Sequence, residues 1–158
     1  MQTGSYSSIR GLRAGAVGGF VGSLVLGTLA GLGAVALNQE VFYVSVAKAL
    51  GLGSPDVTGW ALHFLTGIVA GAVFIGITGL IRRFALDTMR RSVWVGLLGG
   101  IGVWVVVYVP VTGLLVPADL SNLMFAGGSL IFHLVYGIVT AIVSFSLLRR
   151  STKTKTTT

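Results

Sequence analysis

Four stretches of this chain contain no charged side chain: Ala14 to Leu37, Trp60 to Ile81, Val93 to Val116 and Ser129 to Leu148. Each holds 20 to 24 residues. At about 1.5 Å per helical residue, each reaches roughly 30 Å or more, the thickness of the hydrocarbon core of a bilayer. Only 9% of the 158 residues are charged, against roughly 25% in a typical soluble domain. So few charges cannot solvate a globule of this size, and lipid must supply much of the solvent. Glycine is abundant in the four stretches and would weaken a helix in water. In hydrocarbon every backbone group must bond within its own segment, so the helix persists. The sequence predicts a single all-α membrane domain, an integral four-helix bundle with spans at 14–37, 60–81, 93–116 and 129–148.

The basic residues set an expected orientation. Arg10 and Arg13 precede the first span, Arg82, Arg83, Arg90 and Arg91 lie between the second and third, and Arg149, Arg150, Lys153 and Lys155 follow the fourth. The other two connections hold only Lys48, beside Glu40, Asp56 and Asp119. Ten of the eleven basic residues therefore fall on one face, and the positive-inside rule makes that face cytoplasmic, with both termini inside. The expected location is the cell membrane, crossed several times. The formal charge of +7 reads as anchoring to anionic headgroups, and no nucleic-acid partner is expected. The first span exceeds the roughly 7–15 apolar residues of a signal-peptide core, so it is expected to be retained. The tail, 151–158, is polar and repetitive and is expected to be disordered. The two outer connections have helical character. Residues 41–52 are apolar with one lysine and stop at Gly51, Gly53 and Pro55, and 117–125 open on Pro117 and Asp119. Both read as short segments lying at the outer interface.

An internal duplication is visible. Gly15, Gly18 and Gly19 (GAVGG) recur as Gly96, Gly99 and Gly100 (GLLGG), and His63–Val69 (HFLTGIV) recurs as His133–Val139 (HLVYGIV). Two halves of two spans each begin on the same side, so the expected relation is a pair of parallel repeats about an axis along the membrane normal. Glycines four residues apart share a helix face: Gly15 with Gly19, Gly18 with Gly22, Gly67 with Gly71, Gly96 with Gly100. Such stripes let helices approach closely, within the bundle or across a dimer face.

With Gly59-Trp60, His63 and Gly67, then Gly99-Gly100, Pro110 and Gly113, then His133 with Tyr136-Gly137, the chain from Gly11 to Phe145 resembles a family of small prokaryotic four-helix membrane proteins. That family has no established activity, so the resemblance implies the fold and no chemistry.

His63 and His133 are the only imidazoles, and the duplication puts them at matching depth. Counted from Trp60 and Ser129, both lie near the outer ends of their helices. Thr58, Thr66, Tyr108, Thr112 and Tyr136 share that half, and Pro110 removes a backbone donor in the third span. A polar pocket open to the outside follows, with four readings. Each His bonds a neighbouring carbonyl or hydroxyl and ties helices together; or both are axial ligands of one b-type haem, facing each other across the bundle; or they bind copper or zinc, for which two His are too few to close a tetrahedral site; or they lie on a path for a small molecule or proton. No cysteine is present, which excludes disulfides, thiolate metal sites and covalent haem attachment. Hydrolysis, acyl transfer and phosphoryl transfer have no candidate residues. The expected role is that of a non-enzymatic accessory subunit of a larger membrane assembly, through other subunits or self-association. It is expected to work without a cofactor. The alternatives are a bis-His haem or copper electron-transfer module and a small-molecule transport component.

Overall fold

The computed structural model describes residues 6–153. The described residues are helical nearly throughout: α1 (Ser8–Ala36), α2 (Phe42–Ala49), α3 (Pro55–Leu80), a 3-10 turn (Arg82–Phe84), α4 (Met89–Val103), a π-helical turn (Trp104–Tyr108), α5 (Val109–Leu115), α6 (Pro117–Ser121) and α7 (Leu123–Lys153). Four helices are long and apolar enough to cross a membrane: Ile9–Ala36, Pro55–Leu80, Met89–Leu115 and Leu123–Arg149. The chain is thus an all-α, multi-pass membrane protein.

Every span starts earlier than its uncharged run. α1 takes in Arg10 and Arg13, α3 takes in Pro55 and Asp56, and α7 takes in residues 123–125, which the sequence reading put in the outer interfacial segment. Charged and polar residues are tolerated in terminal turns because their heads reach the headgroup layer while the backbone stays helical. Asn122 sets the start of α7: its side-chain oxygen accepts the amides of Met124 (3.1 Å) and Phe125 (3.3 Å), leaving α6 as five residues. At the far end α7 runs through Lys153, three residues into the segment expected to be disordered, and 154–158 lie outside the described residues. α1 and α2 both stop on left-handed residues, Asn38 (φ 50°) and Gly51 (φ 68°). The following amides close back on Ala34 and Ala47 respectively, which satisfies carbonyls that the helix end exposes.

The helices pack in the order α3, α1, α7, α4, with α1 and α7 back to back at the centre. Glycine makes each contact possible. A Cβ on Gly19 would strike the Gly67 carbonyl oxygen, and one on Gly15 that of Gly71, so α1 and α3 touch backbone to backbone. Gly96 and Gly100 lie likewise on the carbonyls of Gly137 and His133, joining α4 to α7. Gly18 and Gly22 seat Thr140, Ser144 and Tyr136, joining α1 to α7. Gly99 seats the Phe74 ring, where α3 and α4 meet. All nine packing glycines expected from the sequence are buried within the chain. Polar side chains add interhelical bonds: Ser144 Oγ donates to the Ala14 carbonyl (3.0 Å) and Tyr136 Oη to that of Gly67 (2.7 Å).

The two pairs differ in register. Gly67 lies over Gly19 and Ser23, whereas Gly137, its counterpart in the duplicated motif, lies over Gly96 and Gly100, one turn away. α2 also packs on α3, and α6 has no comparable hold on α7. The arginine-bearing ends of the spans lie together at one end of the bundle. α2 and α6 cover the other.

Candidate functional site

At the end covered by α2, the bundle encloses a partly open cavity of about 240 Å3. α1 contributes Ser23, Leu26 and Ala30; α2 contributes Phe42, Tyr43 and Val46; α3 contributes His63 and Thr66; the third span contributes Val107 and Tyr108; and α7 contributes Phe132, His133 and Tyr136. The wall is mostly apolar. It lies in a bundle where α3 and α4, unlike α1 and α7, have little direct contact.

Both histidines sit deeper than the uncharged runs indicate. His63 is eight residues into α3 and His133 ten into α7, depths of about 12 and 15 Å at 1.5 Å per residue. There a bare imidazole would be costly, and each has a backbone partner. A His63 Nε2 bonds the Ser23 carbonyl of α1 at 2.8 Å, and a His133 Nδ1 bonds the Ser129 carbonyl one turn earlier at 2.7 Å. A carbonyl only accepts, so in each ring the bonded nitrogen holds the proton and the other presents a lone pair. His63 is therefore an Nδ1 acceptor and His133 an Nε2 acceptor. Neither of these nitrogens makes a hydrogen bond among the described residues.

Each imidazole lies against a tyrosine. The Tyr43 ring is 4.9 Å from His63 and 4.6 Å from Trp60, and the Tyr108 ring is 5.4 Å from His133 and 4.9 Å from Phe42, centroid to centroid. The Tyr43 and Tyr108 hydroxyls are buried without a hydrogen-bond partner of ordinary geometry, although the Ser129 and Thr112 side chains flank Tyr108. Burial pushes the Tyr43 hydroxyl up to about 12, so it stays protonated.

Of the residues expected in a pocket, His63, His133, Thr66, Tyr108 and Tyr136 line this cavity. Pro110 does not: it is exposed on the opposite side of its helix. Its effect is on the backbone. A proline ring clashes with the carbonyl four residues earlier, and the chain widens to a π turn in which Val109 N–H reaches Trp104 O. That widening sets the position of Tyr108. Thr112, also expected nearby, is buried and donates to the Tyr108 carbonyl at 2.6 Å. Thr58 does not line the cavity and donates to Ser54 O. The sequence reading missed Ser23, which acts through its carbonyl, and Tyr43, which lay in a segment read only as interfacial.

Glu40 stands at the rim, ion-paired with Lys48 and accepting from Ser45 Oγ (2.9 Å). These hydrogen bonds from Lys48 and Ser45 hold its carboxyl below the usual range. Asp119 of α6 is raised, by burial first and then by the charge of Glu40. At the rim the Glu40–Lys48 pair is neutral overall, and Asp119 lies outside the cavity lining.

Among the described residues no three His, Cys, Asp or Glu side chains group to hold a metal ion. A single haem between the two histidines fits poorly. The Nε2 of His63, the less hindered ring nitrogen, is already committed to Ser23. The cavity volume of about 240 Å3 is also small for a porphyrin, since an apolar cavity of roughly 150 Å3 is filled by a single benzene ring.

Fold and site together define a multi-pass helical membrane protein with one imidazole-lined cavity between its spans. No family model, curated protein or solved structure matches the chain in comparison.

Proposed function

We propose that this chain is a non-enzymatic subunit of the cell membrane, with both termini cytoplasmic, that holds a lipid-soluble small molecule in the cavity. The single observation behind this reading is the cavity: apolar, of molecular size, between helices of a bundle, with a few polar groups converging on it. Ser23, Ser129, Glu40 and both histidines line it, but the histidines are engaged with backbone carbonyls and Glu40 with Lys48, which favours binding as its activity.

The orientation rests on charge. Arg10, Arg13, Arg82, Arg83, Arg90, Arg91 and Arg149 gather at one end, whereas the single lysine of the other end is neutralised by Glu40. On this reading the cavity belongs to the outer half of the bilayer. The two halves descend from one helix–connection–helix unit. In favour of that origin, both helical pairs close on glycine at corresponding motifs, although one pair has slipped by a turn. The kinship with the small prokaryotic four-helix family is proposed on the same motifs. We also assign the protein to a larger membrane assembly, reached through lipid-facing surfaces of the spans.

Because the natural chain has no cysteine, the reading can be tested with single replacements. A Ser54→Cys protein should react with an impermeant maleimide in intact cells, and a Thr88→Cys protein only after lysis. Native mass spectrometry from mild detergent should find an apolar molecule on the protein, and partner subunits beside it. Labelling of Thr88→Cys in intact cells overturns the orientation, and a consistently empty cavity overturns the binding role.

A further inference from the structure

The polar groups of the cavity are selective in kind, and from them we infer that its occupant is a neutral, hydroxyl-bearing, aromatic-headed lipid: a phenol or quinol-type molecule that donates an O–H to His133 Nε2 or His63 Nδ1. This inference rests on the cavity being a binding site and names what the site takes.

The two imidazoles supply the first argument. Both imidazoles line the cavity, and each has one nitrogen held by a carbonyl, of Ser23 or Ser129, so its other nitrogen is an acceptor and not a donor. A carbonyl or an ether could accept from the unpartnered Tyr43 and Tyr108 hydroxyls but would leave both imidazole acceptors unmet. A hydroxyl fits, since its proton meets a lone pair that no protein group uses.

Charge supplies the second. Lys48, the one cation near the cavity, is engaged by Glu40 at the rim, and Asp119 stands close enough to feel that carboxylate. An anionic head such as a fatty-acid carboxylate would find no cation among the lining residues, and the nearby Lys48 is already paired with Glu40. Burying a lone charge in hydrocarbon is strongly unfavourable. A cation would find one carboxylate in the lining, Glu40, which Lys48 already neutralises. The ligand is neutral.

Size and shape supply the third. An apolar cavity of roughly 150 Å3 holds one benzene ring, and this one is about 240 Å3, room for a head of one to two fused rings. The wall facing it is itself aromatic: Phe42, Tyr43, Tyr108 and Phe132 stand around the two imidazoles, and flat rings stack favourably there. An aliphatic tail would leave through the open side.

Three probes separate the alternatives by titration calorimetry on the full protein in nanodiscs, with empty nanodiscs subtracted: 2-naphthol, naphthalene and 2-naphthoate. The expected order is 2-naphthol about five- to tenfold tighter than naphthalene, the gain of one or two hydrogen bonds, with naphthoate weakest. His133→Phe, which keeps a ring in the wall, should bring 2-naphthol down to the naphthalene value. Should His63→Phe fail to fold because α3 loses its tie to α1, the His133→Phe comparison still decides. Equal binding of 2-naphthol and naphthalene overturns the hydroxyl inference and leaves the cavity a binding site. Tightest binding by naphthoate overturns the neutral-ligand inference. Absence of binding by all three overturns both this inference and the function it rests on.

Discussion

Gly100 and Gly102 are two residues apart on α4, so their α-hydrogens point about 200° apart around the helix. Alanine at the two sites should change stability with opposite signs. At Gly100 a Cβ would collide with the His133 carbonyl oxygen and sit 2.9 Å from both the His133 carbonyl carbon and the Leu134 Cα. All three are backbone atoms, which no rotamer change can move, so α4 must back away from α7 along that contact. Overpacking of this kind costs about 1–3 kcal/mol. The offset is the gain from replacing a helical glycine, at most about 1 kcal/mol in water, and less in lipid, where the separated helix is already formed. Gly100→Ala should therefore lose up to about 3 kcal/mol net, and about 2 kcal/mol at the middle of these ranges. At Gly102 nothing lies within 4 Å of the added methyl group, so Gly102→Ala should gain between zero and about 1 kcal/mol. Reversible unfolding in mixed micelles of increasing SDS fraction, followed by tryptophan fluorescence, measures both. Equal or greater stability of Gly100→Ala relative to Gly102→Ala would refute the argument that glycine sets the α4–α7 separation.

His63→Leu should cost about 0.5–1.5 kcal/mol through loss of the bond to the Ser23 carbonyl, in the same micelle assay. The purified protein should be colourless, and a Soret band abolished by His63→Ala or His133→Ala would reinstate the haem reading. Asp119→Asn should raise thermal stability at neutral pH. The folded-state pKa of Asp119 is raised, so ionisation in the fold is unfavourable and its penalty is full above that raised pKa. The benefit of the substitution should shrink as pH falls through it and vanish below about pH 4, where the carboxyl is protonated folded or unfolded. The group is partly in water, so the effect should stay under about 1 kcal/mol. An advantage that grows on acidification contradicts the assignment.

The spans and their packing faces were legible because lipid imposes rules that show directly in side-chain type: length without charge, and small residues at intervals of four. His63 and His133 were legible as a pair but not in depth, since α3 begins at Pro55 and α7 at Leu123, outside the uncharged runs. Ser23 was not legible at all. It contributes a carbonyl, which every residue has, and nothing in a sequence says which carbonyl a distant imidazole will find. Tyr43 left a faint sign. In the run Tyr43, Val44, Val46 and Ala47, all buried, the apolar spacing is that of a helix lying on protein, more than of one lying on headgroups.

The duplicated motif misled in one respect, and the deviation is what makes the site. A strict two-fold would pack α3 on α4 as α1 packs on α7, and would fill the bundle. Two local facts prevent it. The slipped register sets Gly137 over Gly96 and Gly100 where Gly67 sits over Gly19 and Ser23, so these two glycine contacts are not equivalent. Pro110, conversely, forces a π turn in the third span alone, which brings Tyr108 to the inside against His133. α2 supplies the matching tyrosine for His63 from outside the spans. Two Tyr–His pairs thus arise from different backbone sources, and the space between them is the cavity. Replacing Pro110 by alanine, which permits a regular helix, should therefore alter the cavity at Tyr108 without any change in its lining residues.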